Sequence, residues 1–279
     1  MNPLLVATVN QSTVYSDADC AAETPALVAQ INEDLLPVWQ VCPVQSVIVP
    51  RGGTIPPEAD RIEYILDDPT QAGALGYHSD GSQEKVPTIY VFAKPTLSDG
   101  GTVSGVRSHE WQETAVDPFI SYVVALDLQI GGFRGGYRAG VMLEVCDGPE
   151  ADQFGYKKNG VAVSNFVTPS WFSLPWTPPN GYKGGGPLDF VGNVQAAFGL
   201  SNRGAPIGIN PGGYISLFLS RVAKDWFSVN AAHSPSIMAI EKALPPIAPH
   251  VMKADGSLMK PDEICPYSRR GRWLARHGG

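Results

Sequence analysis

Residues 108–118 read Ser-His-Glu-Trp-Gln-Glu-Thr-Ala-Val-Asp-Pro. The preceding Ser98-Asp99-Gly100-Gly101 offers Ser98 or Asp99 as a cap, and Pro118 closes the run, so a helix is expected over 102–117. On a helix, residues four apart stand one turn above each other. His109 and Glu113 can therefore reach one point in space. Glu110 is turned by about 100° from His109, close to the same point but off its axis.

The surroundings alternate between sheet and helix signals. Residues 3–15 read as a short strand and turn. Thr24-Pro25 looks like a helix start, with Leu27, Ile31 and Leu35 on one face and Pro37 as the stop. Val44–Val49 is strand-like. In 61–67, Ile62, Tyr64 and Leu66 alternate with Arg61, Glu63 and Asp67, as in a half-buried strand. Residues 74–78 suggest another strand, which leaves His78 as a loop histidine. Residues 88–93 are β-branched and aromatic, and should form a central strand packed on the 102–117 helix. Beyond 130 the texture becomes rich in Gly and Pro. GGFRGGYRAG reads as turn-rich, 178–187 as an exposed loop and Tyr214–Leu219 as a strand. The expected class is α+β. Residues 1–150 would form a core that carries the motif helix. Residues 151–245 would continue the same domain, and 246–279 would be a basic, Pro-interrupted tail.

Composition excludes some functions. The formal net charge is -7, which argues against a nucleic-acid surface, because phosphate binding needs concentrated Lys and Arg. No apolar window reaches the ~20 residues of a membrane helix. The N-terminus lacks the basic and apolar regions of a secretory signal. Localisation stays open between the cytoplasm and association with a particle. The four cysteines, at 20, 42, 146 and 265, are too scattered for a zinc knuckle and leave disulfides and free thiols equally open.

Imidazole and carboxylate one turn apart suit a divalent cation, Zn²⁺ first, and a catalytic centre needs a third protein ligand. The spacing follows the arithmetic of HExxH metallopeptidases, whose helix carries two ligands and a general base. Here Glu113 stands in place of the second His. The extra negative charge should weaken the Lewis acidity of the ion and can shift preference toward other divalent metals.

Residues 108–118, Glu144–Asp147 (EVCD), 165–172 (NFVTPSWF) and 211–214 (PGGY) together resemble a set of microbial and viral proteins related to the zincin-like metallopeptidases. The resemblance spans about residues 25–220. This chain has Asp147-Gly148-Pro149 where the pattern runs directly from Asp to Pro. It implies a zincin-like mixed sheet with an active-site helix and a loop-rich C-terminal half. His109 and Glu113 would be metal ligands, and Glu110 the general base. Glu144 is the favoured third ligand. Asp117 is its rival, but it lies about 12 Å along a regular helix axis from His109. Asp147 is a candidate acceptor for the other N–H of His109. Tyr214 is the candidate for steadying an oxyanion. The expected activity is metal-dependent hydrolysis of a peptide or protein substrate. The alternative is a non-enzymatic domain that a metal braces, or an interaction protein that keeps the fold.

Overall fold

Five short stretches, four of them rich in β-branched residues, pair into one sheet. They are β1 (Leu4–Asn10), β2 (Val44–Val49), β3 (Arg61–Leu66), β4 (Gly76–Ser79) and β5 (Thr88–Phe92). Their order is β2-β1-β3-β5-β4. β1, β2, β3 and β5 are parallel, whereas β4 runs antiparallel to β5 with His78 opposite Ile89. The sheet is mixed, β4 is a terminal strand, and the α+β expectation holds. The computed structural model describes residues 2–71, 73–130, 137–172, 174–194, 196–202, 205–219 and 226–230. Residues 246–279, His233 and Cys265 lie outside them.

The first helix begins earlier than Thr24-Pro25. α1 (Asp17–Ala29) starts behind Ser16, whose Oγ accepts from the Asp19 amide at 3.0 Å. Pro25 lies inside α1 on its exposed side, where the carbonyl it leaves unpaired can turn to water. Pro37 does not stop the helix at once. A π-helical turn, Gln30–Leu35, carries the chain into α2 (Leu36–Trp39). The extra residue in that turn keeps Leu27, Ile31 and Leu35 together in the core.

After β5 come α3 (Ala93–Ser98) and α4 (Val103–Val116). The helix expected over 102–117 is α4, and it packs on β5. Neither Ser98 nor Asp99 caps it. They end α3, and Gly100 turns the chain with a φ of 78°. Thr102 caps α4 instead, its Oγ1 accepting from Gly105 N at 3.2 Å, while Thr102 N donates to Asp152 Oδ2 at 3.0 Å. α4 stops where Pro118 cannot continue it. Asp117 then accepts from the Ser121 and Tyr122 amides at 3.0 and 2.7 Å.

A second sheet is antiparallel, in the order β11-β10-β6-β7-β12-β13. Its strands are β6 (Val123–Ile130), β7 (Tyr137–Met142), β10 (Ala196–Asn202), β11 (Ala205–Gly208), β12 (Tyr214–Leu219) and β13 (Trp226–Asn230). Between β7 and β10 lies a hairpin of β8 (Tyr156–Lys158) and β9 (Val161–Val163). Asn159 and Gly160, with φ of 50° and 85°, close it. β9 lies along α4. Ser164, just after it, donates its N–H to Ser108 Oγ at 2.6 Å and accepts from Gln112 Nε2 at 3.2 Å. Trp171 and Phe172 pack in the core. Among the described residues no helix is long and apolar enough to cross a membrane.

α4 is locked to the centre of the first sheet by a buried ion pair. Arg107 Nε and Nη2 donate to Glu63 Oε1 and Oε2, both at 2.9 Å. Thr8 Oγ1 also donates to Glu63 Oε2 at 2.7 Å, and Arg107 Nη2 donates to Thr24 Oγ1 at 2.8 Å. Neither charged side chain has solvent exposure. Removing one charge leaves the other buried and uncompensated, at a cost of about 3–5 kcal/mol. Glu63→Gln should lower stability by that amount in urea unfolding. Lys183→Ala, which removes an exposed partner of Glu33, should change stability by less than about 1 kcal/mol.

Candidate metal centre

The face of α4 turned from Arg107 carries Val106, His109, Glu110 and Glu113, a helical stripe of three- and four-residue steps. Opposite lies β4. A Cβ on Gly76 would stand 2.7 Å from Val106 Cγ1 and 3.0 Å from Glu110 Oε1, so the strand and helix approach this closely only because residue 76 has no side chain. Two residues on, His78 points to the same side and is buried against α4. Tyr77 turns the other way and stacks on Tyr90.

The third wall is the segment after β7, which leaves the strand at Met142 and bends through 145–147. Cys146 N donates to Glu113 Oε1 at 3.1 Å, which leaves Glu113 Oε2 free to face His109. Val167 N donates to Val145 O at 2.7 Å, and Tyr214 N to Asp147 O at 3.0 Å. Gly213 permits the last contact, since a Cβ there would lie 2.2 Å from Gly148 O. Residues 165–172 thus pack behind the 145–148 bend, while 211–214 close on its other side.

His109, Glu113 and Asp147 converge. His109 Nε2 is 3.3 Å from Glu113 Oε2 and 3.4 Å from Asp147 Oδ1. Ligands at ~2.0–2.1 Å from a tetrahedral ion stand ~3.3 Å apart, so these separations are those of ligand atoms around one zinc-sized cation. Glu144 takes a different place. Its Oε2 lies 3.9 Å from His78 Nε2, and it is Asp147 that completes the group with His109 and Glu113. Asp117 spends its carboxylate on the Ser121 and Tyr122 amides, after the helix has carried it away from His109. A second group overlaps the first: His78, Glu110 and Glu113, with His78 Nδ1 at 3.5 Å from Glu110 Oε2 and 3.8 Å from Glu113 Oε2. Tyr214 lies beside Asp147, and burial, then the Asp147 charge, push its pKa well up.

The electrostatics show a surplus of negative charge. Burial opposes a charge on His109, but Glu113 and Asp147 override it and hold its pKa well above the usual imidazole value. His78 is buried too, yet Glu110, Glu144 and Glu113 push it up to about 9. Burial, then Glu113, raises Glu144 to about 9 against the pull of His78. The same two causes raise Asp147 to about 6, with His109 and Tyr214 opposing. Burial raises Glu150 to about 7, although His109 draws it down. Five carboxylates gather around two imidazoles, and among the described residues no Lys or Arg lines the adjoining cleft. Protons collect on such a group unless a cation replaces them, because metal ligands bind in their deprotonated forms. The donor set, His and carboxylate with no thiolate, suits zinc or a harder divalent ion.

The site opens onto a cleft of about 660 Å³ lined by Gly76, Tyr77, His109, Glu110, Glu150 and Tyr214, among others. His78 and Glu150 escape a sequence reading. A Gly two residues before a His on a short strand was the available sign for His78, since both must face the helix. Glu150 follows Gly148-Pro149, whose turn decides where it points. Cys20 and Cys146 are buried thiols, and burial pushes the Cys146 pKa well up. No protein-family model, curated protein or solved structure matches this chain.

The geometry separates Asp147 from its rival near the helix end. Asp147→Asn should weaken zinc binding by at least ~100-fold, the upper range for loss of a supporting partner. Asp117→Asn should leave zinc affinity unchanged. Competition with a chromophoric chelator measures both.

Proposed function

We propose that this chain is a divalent-cation-dependent hydrolase of peptide bonds, with a zincin-like arrangement of sheet and helix. The observation that carries this is the convergence of His109, Glu113 and Asp147 beside a cleft whose wall includes His109 and Glu110. A structural zinc site is closed by four protein ligands, whereas a catalytic one has three and faces substrate. The cleft also runs along β4, the terminal strand of its sheet. A terminal strand has unpaired main-chain groups on one side, and an extended peptide can add to it by main-chain hydrogen bonds. The acidic lining disfavours anionic substrates such as nucleic acids.

His109, Glu113 and Asp147 would hold the cation, zinc being the first candidate. When bound, it would supply Lewis acidity toward the scissile carbonyl and toward water. The Cys146 amide donates to Glu113 Oε1 and would hold that carboxylate in its ligand orientation. Tyr214 lies beside Asp147 at the cleft and would steady the oxyanion. Glu110 Oε1 lies toward Gly76 on the cleft side. It takes the proton from the attacking water as the C–O bond forms. It then gives that proton to the amide nitrogen as the C–N bond breaks.

Glu110→Gln keeps the size of the side chain and removes the base. With one equivalent of zinc, the variant should retain its metal and lose peptidase activity by roughly 10²–10⁴-fold. Metal analysis and a peptide-library digest read the two effects separately. A zinc-loaded wild-type protein that cleaves no peptide in the library would overturn the hydrolase reading in favour of a metal brace.

A further inference from the structure

The overlapping second group has an internal logic of its own. His78 Nδ1 faces Glu110 Oε2 at 3.5 Å and Glu113 Oε2 at 3.8 Å. All three side chains are buried, and His78 is only 5% exposed. On the far side of the ring, His78 Nε2 and Glu144 Oε2 lie 3.9 Å apart. Both atoms are buried and have no hydrogen-bond partner. Buried polar atoms are normally satisfied, so such a pair calls for an explanation. A ligating imidazole usually donates its other N–H to a carboxylate. A cation on Nδ1 would place the ring proton on Nε2, facing Glu144 across 3.9 Å, and a small closing of that gap would give both orphaned atoms a partner.

We propose that His78, Glu110 and Glu113 form a second divalent-cation site, with Glu144 orienting His78, and that filling it inhibits the first centre. The inhibitory part rests on the hydrolase reading above, but the site itself does not. Glu113 belongs to both groups. The second group is the wider one, with separations of 3.5 and 3.8 Å against 3.3 and 3.4 Å in the first. A cation already held by His109, Glu113 and Asp147 also repels a second one and draws on the shared carboxylate. The second site is therefore the weaker. Its occupation takes Glu110 as a ligand. A carboxylate bound to a cation is a poor base, so the proton acceptor is withdrawn from the cleft. Activity should pass through a maximum as the divalent ion is raised.

The test is calorimetric titration of the full chain, stripped of metal, with zinc ion alone, alongside peptide hydrolysis at each loading. Two equivalents are expected, the second at least ~10-fold weaker, a gap of about 1.4 kcal/mol. Hydrolysis should rise to the first equivalent and fall as the second fills. His78→Phe should abolish the second equivalent and keep the first. Glu144→Gln should weaken the second by roughly 10–100-fold. The near-isosteric Gln keeps the test readable if the Phe variant folds poorly. A single equivalent in the wild type overturns the site, as does a second equivalent that both variants leave unchanged. Hydrolysis that stays level while the second equivalent binds overturns the inhibition. Two equivalents with the expected variant effects but no hydrolysis at any loading would uphold the site and sink the hydrolase reading instead.

Discussion

The bidentate pair between Arg107 and Glu63 fixes the geometry on which everything else in this molecule depends. Glu63 sits on β3 within the first sheet, and Arg107 on the helix that carries the motif. Two parallel hydrogen bonds between planar groups set the azimuth of α4 as well as its distance from the sheet. Once Arg107 points inward, His109, Glu110 and Glu113 must emerge on the flank that meets β4. Tyr15, Thr8 and Thr24 join the network, so β1 and α1 register against the same anchor. Buried ion pairs are weak sources of stability, and a role in specifying one arrangement suits this one better.

That anchor makes room for the opposite extreme, a pocket where carboxylates outnumber the groups that could neutralise them. Elsewhere the chain compensates buried charge locally. Lys158, for example, sits between Glu33 and Asp34 at 2.9 and 2.8 Å. Among the described residues no lysine or arginine plays that part around His78 and His109. A fold under selection for stability alone gains nothing by concentrating like charges out of water, because each must stay protonated or be paired. That concentration of charge is the reason to propose a cation site here, with the Cys146 amide already holding the Glu113 carboxylate. Filling it would return stability that the free protein gives up.

Two glycines set how closely the walls of the site approach. Gly76 lets the edge strand lie against Val106 and Glu110, and Gly213 lets the loop before β12 lie on the carbonyls of Asp147 and Gly148. Any Cβ at either place would push a wall outward, and ligand sets tolerate little such movement. The Pro-Gly-Gly-Tyr run is thus part of the site although its glycines bring no chemistry. It brings Tyr214 beside Asp147, its N–H donating to Asp147 O at 3.0 Å.

Sequence by itself determined what is local and periodic. The four-residue step between His109 and Glu113 follows from helix geometry, and the strands at 44–49, 61–66 and 88–92 from their β-branched content. Leu27, Ile31 and Leu35 could likewise be placed in the core. Only the tertiary structure decided between Glu144 and Asp147, because the chain bends between them and a two-residue alternation no longer tells which carboxylate faces α4. Only the tertiary structure brought in His78, whose direction depends on the antiparallel register of β4 on β5 and on the helix laid across it. Helix starts lie elsewhere than expected: α1 begins at Ser16, about two turns before Thr24, and α4 at Thr102, after Ser98 and Asp99 have ended α3. The difference is physical. A helix repeat is written in neighbouring residues, whereas strand register and the closure of distant loops are settled by packing that no single segment contains.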